Sequence, residues 1–505
     1  MRIPFPERIT PWHAGLFAIL LCVLEVLQGT QPLFAAFVFI YIMLATLAFN
    51  LAGGLYRASG AYVFANAILG LIFSQCAKVF LGEPADLNLR APMTTILVYT
   101  AGMGSILAAV AISRRVRLKV PLLERGHTTD NIRQMAIGCI TVGIALSFVL
   151  SVIGNDNGSI GAVLNQFVFF LPLGMLLAVY DEIRSSGGRR SVNLFLIIGS
   201  LFMILYGGIL GTSKQAIFTP LVAYVVVCGA LRYKFKLMGL AAMALVTFFM
   251  LYYLVPYSQV VRNYTRDLPT YSERIDAANY WLSHIDDVRT EYKANDEDIA
   301  LDTAPHYYTQ DRGFLERLGM VAMDDALIDA TDSKGKFGYS PMVIGVLNLV
   351  PHFIWPNKPS INVNNVFAHE IGLLSDEDFT TSVSFGPSAD AYHEGKWAGV
   401  LILMPLVMVT LFIIADSVTG SVRRSPWGFA FLVYFLHLAP EGSLGTCLTV
   451  AFTVTGILIV TVFATRYALP LVGSLIFPER RKTVAVRKVS EFPKRAAPPP
   501  AETTV

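Results

Sequence analysis

The chain has 505 residues, of which 54% are hydrophobic and only 15% charged, with mean hydropathy +0.56 and a net charge of +3. A soluble chain carries about 25% charged residues. A water-soluble globular enzyme is therefore excluded, and the composition is that of a polytopic, all-α integral membrane protein.

Apolar runs of about 20 residues recur, each long enough to cross a hydrocarbon core of ~30 Å. In lipid they must be helices, because unpaired backbone amides are not tolerated there. The first run, 12–29, lacks a small-residue cleavage site and passes at once into a second apolar stretch, so it is expected to be retained. Spans are predicted near 12–29, 32–51, 60–81, 93–113, 134–154, 160–180, 192–210, 215–231, 237–256, 398–416, 427–442 and 445–465, about twelve in all. The five cysteines lie in or at the ends of these runs, with neither metal spacing nor a disulfide framework, and are expected to be packing residues.

Charge is distributed unevenly. Residues 257–396 hold 11 Lys and Arg against 22 Asp and Glu, while the rest of the chain holds 28 against 14. With the N-terminus (Arg2, Arg8) in the cytoplasm, the basic clusters at 114–119, 184–190, 232–236 and 423–424 and the C-terminal tail all fall on that side. This is the positive-inside pattern, and it puts the acidic stretch outside. The expected organisation is nine spans over 1–256, a large external loop over 257–397, three spans over 398–466, and a basic, disordered cytoplasmic tail over 467–505.

The loop is expected to be structured. Ile275, Leu282, Ile285 and Tyr292 recur at helical spacing, and RGFLERLGMVAMDDALI (312–328) reads as a second amphipathic helix. Residues 338–356 are apolar but are interrupted by Pro341, Gly345, Pro351 and Pro356. A full span there would reverse the last three helices, so a re-entrant or interfacial segment is predicted.

Common catalytic signatures are missing: no P-loop, no HExxH, no GxSxG and no dinucleotide-type glycine fingerprint. What remains is a set of polar residues at expected outer helix ends. Lys214, in the short turn GGILGTSKQAIF (207–218), is placed either to hold a phosphate or to reach interfacial water. Arg262 and Arg266 share a helix face and can grip an anion together, or pair with loop carboxylates such as Asp267 and Glu273. Arg312 and Arg317 lie in the second loop helix, where an exposed charged face also accounts for them. In VPHFIWPNKP (350–359), Trp355 suits an interfacial anchor or a platform for a sugar ring. His352 and Lys358 flank it; the histidine is suited to phosphate binding or proton transfer. DAYHEGKWAG (390–399) brings Asp390, Tyr392, His393 and Glu394 to the start of the tenth span, where a general base or an ordinary solvated helix start is expected. Glu441 sits at another helix end near a proline and glycines.

Three of these stretches, GTSK (211–214), PHFIWPNKP (351–359) with GYS (338–340) before it, and DAYHEGKWAG (390–399), resemble in order and type the motifs of the O-antigen polymerase (Wzy-like) family of oligosaccharide repeat-unit polymerases. Here His352 replaces the family's usual arginine and Asp390 its usual glutamate. The resemblance implies transfer of a growing glycan from undecaprenyl pyrophosphate to the terminal sugar of an incoming lipid-linked unit, at the outer face of the bacterial cytoplasmic membrane. It implies that Lys214, Arg262 and Arg266 bind the pyrophosphates, with His352, Arg317, Lys358, Trp355 and Tyr392 assisting and Asp390 or Glu394 acting as base. No cofactor or metal is required. The partners implied are donor and acceptor lipid-linked oligosaccharides, membrane lipids, a chain-length regulator and a flippase, with no nucleic acid. The acidic helices of 271–330 are expected to form a lid or glycan-guiding surface. A glycan ligase and a transporter of lipid-linked glycans are the alternatives. The ligase's histidine motif is missing, and neither internal repeats nor midplane broken helices are evident.

Overall fold

The computed structural model describes residues 1–124, 131–153, 160–265, 268, 271–301, 305–309, 318–350, 355, 362–375, 377–379 and 381–477. These residues are overwhelmingly helical, with no strand among them; Arg57 and Ser421 form an isolated antiparallel bridge.

In chain order, the apolar helices before the loop are α1 (Pro11–Leu27), α2 (Pro32–Ala52), α3 (Ala58–Leu81), α4 (Pro92–Val116), α5 (Ile132–Ile153), α6 (Gln166–Ser185), α7 (Leu194–Leu210), α8 (Lys214–Ala230) and α9 (Leu237–Thr265). The loop contributes α10 (Tyr271–Ser283), α11 (Ile285–Leu301), α12 (Val321–Lys334), α13 (Ser340–Leu347) and α14 (Val363–Glu370). After it come α15 (Pro387–Thr419), α16 (Gly428–Glu441) and α17 (Leu444–Tyr467), then the short α18 (Leu469–Ile476). Eight of these, α2 to α6, α9, α15 and α17, are long and apolar enough to cross a membrane. The other predicted spans coincide with α1, α7, α8 and α16, which are apolar but shorter; α7 runs into Gly211 and α16 into Gly442. Proline at the first position starts α1, α2, α4 and α15, where its missing N–H costs nothing.

Small residues set the closest helix contacts, as membrane packing favours. A Cβ at Gly143 would meet Leu171 at 2.7 Å, and one at Gly174 would meet Ile140 at the same distance, so α5 and α6 approach almost backbone to backbone. The first part of the expected tail is α18, not coil. Its backbone lies against Gly138 of α5, and Gly473 fits against the Gln134 carbonyl. Residues 478–505 lie outside the described residues.

The basic segments gather at one end of the bundle. The N-terminal ammonium donates to the Phe235 carbonyl (2.8 Å), Arg423 pairs with Glu7 (2.8 Å), and Val422 N–H donates to the Tyr56 carbonyl (3.1 Å). Arg117 pairs with Asp416 at 2.8 Å, and that carboxylate also accepts from the Ser59 hydroxyl (2.8 Å). The loop helices meet the opposite end. There α11 folds along the end of α9, burying Val288 with Tyr257, Val260 and Val261 and setting the Arg289 guanidinium 3.8 Å from the Tyr252 ring centre. The predicted amphipathic stretch 271–292 is thus two helices, with His284 between them.

Candidate functional site

The loop end of the bundle is organised around two adjacent aspartates of α12. Asp325 caps α4: it accepts from the N–H groups of Arg90 (2.6 Å) and Ala91 (3.1 Å) and from the Thr95 hydroxyl (2.7 Å). Asp324 accepts from the Tyr99 hydroxyl (2.6 Å) and from Gly386 N–H (2.7 Å), the residue that caps α15. Only glycine fits at 386, because a Cβ there would collide with the Asp324 carboxylate. Burial pushes the Asp324 carboxyl up to about 7, with Tyr99 and Gly386 pulling the other way and Asp390 and Asp325 adding to the rise. Burial also raises Asp325, opposed first by Thr95.

Held this way, α15 presents Asp390 and Glu394 one turn apart, both about 1% exposed. Asp390 Oδ2 accepts from Leu444 N–H at the start of α17 (2.7 Å). Among the described residues Asp390 Oδ1 and both Glu394 carboxylate oxygens are buried with no hydrogen-bond partner. Orphaned buried acceptors are costly and mark a place where a donor is wanted. Just beyond, Lys396 adopts φ 50°, ψ −138° inside the helix, and the next residues form a π segment, Gly399–Leu403. A Cβ at Gly399 would collide with the Ala391 carbonyl, so the break needs that glycine. The short helix carrying the carboxylates is thereby set apart from the apolar stretch that follows.

Residues 337–347 cover this helix. Phe337 N–H donates to the His393 carbonyl (2.9 Å) and Gly338 N–H to that of Glu394 (3.2 Å). The helix α13 then crosses α17 through glycine on glycine: a Cβ on Gly345 would meet Gly445 Cα at 2.6 Å. At eight residues α13 is too short to span a bilayer. It exposes Val343 and Val346.

His393 is fully buried with both ring nitrogens engaged, Nδ1 with the Thr331 hydroxyl (2.8 Å) and Nε2 with Glu370 (3.1 Å). It braces α12, α14 and α15 and has no free nitrogen for a base. Tyr392 donates its hydroxyl to Asp332 (2.7 Å) and sets its ring against Trp397. Glu441, half-buried, accepts from the Ser384 hydroxyl (3.1 Å).

The cationic candidates form a second group at the same end. Ser213 caps α8 with its hydroxyl on Ala216 N–H, making Lys214 the first residue of that helix. Thr212 sits at φ 46°, and its carbonyl accepts from the Arg262 guanidinium of α9 (3.0 Å). The GTSK turn and Arg262, fifty residues apart, are thus brought together. Trp355 is 40% exposed. Arg266, Arg312, Arg317, His352 and Lys358 lie outside the described residues.

Sequence reasoning passed over Asp324, Asp325, Tyr99 and Glu370. The signal for the first two was the DD doublet interrupting the apolar side of 312–328. Among the described residues no group of His, Cys, Asp and Glu forms a metal-holding cluster. No family model, curated protein or solved structure matches the chain.

Proposed function

We propose that this chain is a membrane glycan polymerase that joins polyprenyl-pyrophosphate-linked oligosaccharide units at the outer face of a bacterial cytoplasmic membrane, with both termini cytoplasmic and the 257–397 loop external. The observation that carries it is the Asp390–Glu394 pair, three buried acceptor oxygens of the DAYHEGKWAG block that have no donor among the described residues. Such oxygens suit a sugar hydroxyl, which can lend a proton. In the proposed step the acceptor hydroxyl loses its proton to Asp390 or Glu394, and its oxygen bonds to the anomeric carbon of the donor. The bond from that carbon to the pyrophosphate oxygen breaks, and the pyrophosphate leaves with the electron pair. Lys214 and Arg262, and in the sequence Arg266, His352 and Lys358, match the charge that develops on it. Trp355 offers a face for a sugar ring, Arg317 a further cation, and α10 to α12 a surface to guide the chain, while Tyr392, buried with its hydroxyl on Asp332, holds the carboxylate helix in place. A chain-length regulator and a flippase are the expected partners, and no cofactor is needed.

A transporter of lipid-linked glycans is the second reading, favoured by the break at Lys396 beside carboxylate oxygens that lack a donor among the described residues, a pattern used in transport. Deleting the gene and resolving the surface glycan on a gel separates the two. A ladder collapsed to one repeat supports polymerisation. Complete loss with lipid-linked units accumulating inside supports transport. A normal ladder refutes the polymerase.

A further inference from the structure

A second set of orphaned oxygens lies where α1 meets α3, in a region the proposed reaction does not use. Glu25, in the last turn of α1, is fully buried, and among the described residues neither of its carboxylate oxygens has a hydrogen-bond partner. Gln28, one turn on, donates its amide to the Val79 carbonyl (2.8 Å), which leaves its buried Oε1 without a partner among the described residues. Across the contact, Gln75 of α3 is also fully buried and donates its amide to the Tyr307 hydroxyl oxygen (3.0 Å).

The orientation of both amides is dictated by what they face. Val79 offers only a carbonyl, so the Gln28 nitrogen must point to it. Tyr307 gives its own proton to the Ala85 carbonyl (2.5 Å), so its oxygen can only accept, and the Gln75 nitrogen must face it. Each amide therefore turns its oxygen away, and among the described residues Gln75 Oε1 too has no partner.

One seam of hydrogen bonds joins the backbone at Glu25 to Gln75. The Glu25 carbonyl accepts from Thr30 N–H (3.0 Å), the Thr30 hydroxyl from Ala85 N–H (2.7 Å), and the Ala85 carbonyl from Tyr307, which holds Gln75. The nearby buried cation is committed elsewhere: Lys78 pairs with Glu83 (2.7 Å) and lies 4.6 Å from the Tyr307 ring centre. Asp86 accepts from Gln31 N–H (3.1 Å). The contact of α1 with α3 therefore holds one carboxylate and two amide oxygens, all acceptors without a donor among the described residues. An all-oxygen acceptor set that contains one carboxylate is matched by a hard cation of single charge.

We infer that Glu25, Gln28 and Gln75 bind a monovalent cation of the sodium class, which ties α1 to α3 and to the 305–309 segment of the loop. The site is separate from Asp390 and Glu394, and the inference does not rest on the polymerase reading.

The test uses the purified full chain in nanodiscs, melted while NaCl replaces choline chloride at constant ionic strength. The expected result is a saturating rise in Tm with Na⁺. Glu25→Gln should lose that rise while melting in choline chloride no lower than the parent protein, because the neutral amide removes the buried charge. Gln75→Leu, which keeps the carboxylate, should move the midpoint of the rise to higher NaCl. A parent Tm equal in NaCl and choline chloride would overturn the inference, meaning that the oxygens are met by water alone. So would a rise given by CaCl₂ but not NaCl, or an unchanged midpoint in Gln75→Leu. Should Glu25→Gln not fold, the Gln75→Leu midpoint decides.

Discussion

The Arg262 guanidinium donates to the backbone carbonyl of Thr212 at 3.0 Å, so the end of α9 holds the turn that starts α8 at Lys214. Thr212 is in the left-handed region at φ 46°, a conformation that L residues adopt only when their surroundings impose it. The contact places two cationic side chains at one turn while leaving Arg262 itself exposed.

If those cations bind the pyrophosphates, Lys214→Ala and Arg262→Ala each abolish the glycan ladder while membrane-extracted protein keeps its Tm within a few degrees. Arg262→Lys also fails, because one ammonium cannot hold the Thr212 carbonyl and a phosphate in the geometry of a guanidinium. Gel analysis of surface glycan, paired with thermal melts of the same variants, checks this. A normal ladder from both alanine variants removes them from the site.

Asp390→Asn and Glu394→Gln keep side-chain volume, and the asparagine keeps an oxygen for Leu444 N–H. Neither should lower stability, since neutralising a buried charge removes a desolvation cost. Under the proposed function, whichever serves as base should lose about 10²–10⁴ of polymerising rate, read as repeat addition by the purified protein on lipid-linked units. Full rate in both variants excludes a carboxylate base on α15.

Asp324 makes stability depend on pH. Its carboxyl is raised from an ordinary 3.8 to about 7 in the folded chain, so the folded state binds the proton more tightly than the unfolded one. The stabilisation is fully present below 3.8 and is lost as pH rises through about 7, with an upper bound of about 4 kcal/mol. Asp325, raised in the same direction, adds to the slope. Melts of the parent protein between these limits should show Tm falling with pH, and Asp324→Asn should flatten the fall. A Tm that rises over this range contradicts the assignment.

At the opposite end Asp416 is about 1% exposed and accepts from Arg117 and from the Ser59 hydroxyl, both at 2.8 Å. Asp416→Ala strands a half-buried guanidinium and should cost about 3 kcal/mol or more of stability. Under the proposed function, the repeat distribution made by the folded fraction should stay that of the parent, since the residue belongs to the bundle's far end. Ladder length measured against the amount of folded protein tests both halves of the statement.

Helix positions were legible because a chain in lipid must satisfy its backbone within each segment, so hydropathy runs and helices coincide over α1 to α9 and α15 to α17. Membrane crossing by all twelve was not equally legible. The runs at α7 and α16 end in glycine turns at Gly211 and Gly442, and hydropathy does not register the resulting loss of length. Of the candidate site, Asp390 and Glu394 were visible as candidate bases at a helix start, and the acidic stretch 257–396 was visible from charge.

What the linear order determined alone was which segments are apolar, which end of each carries cations, and where prolines and glycines interrupt. Those properties are local, set by neighbours within a turn or two. Only the tertiary structure decided that Asp324 grips Gly386, that Arg262 meets Thr212, and that His393 is spent on Thr331 and Glu370. Desolvation and hydrogen bonding depend on groups tens to hundreds of residues away, so the same aspartate is an exposed helix charge or a buried clasp according to what folds against it.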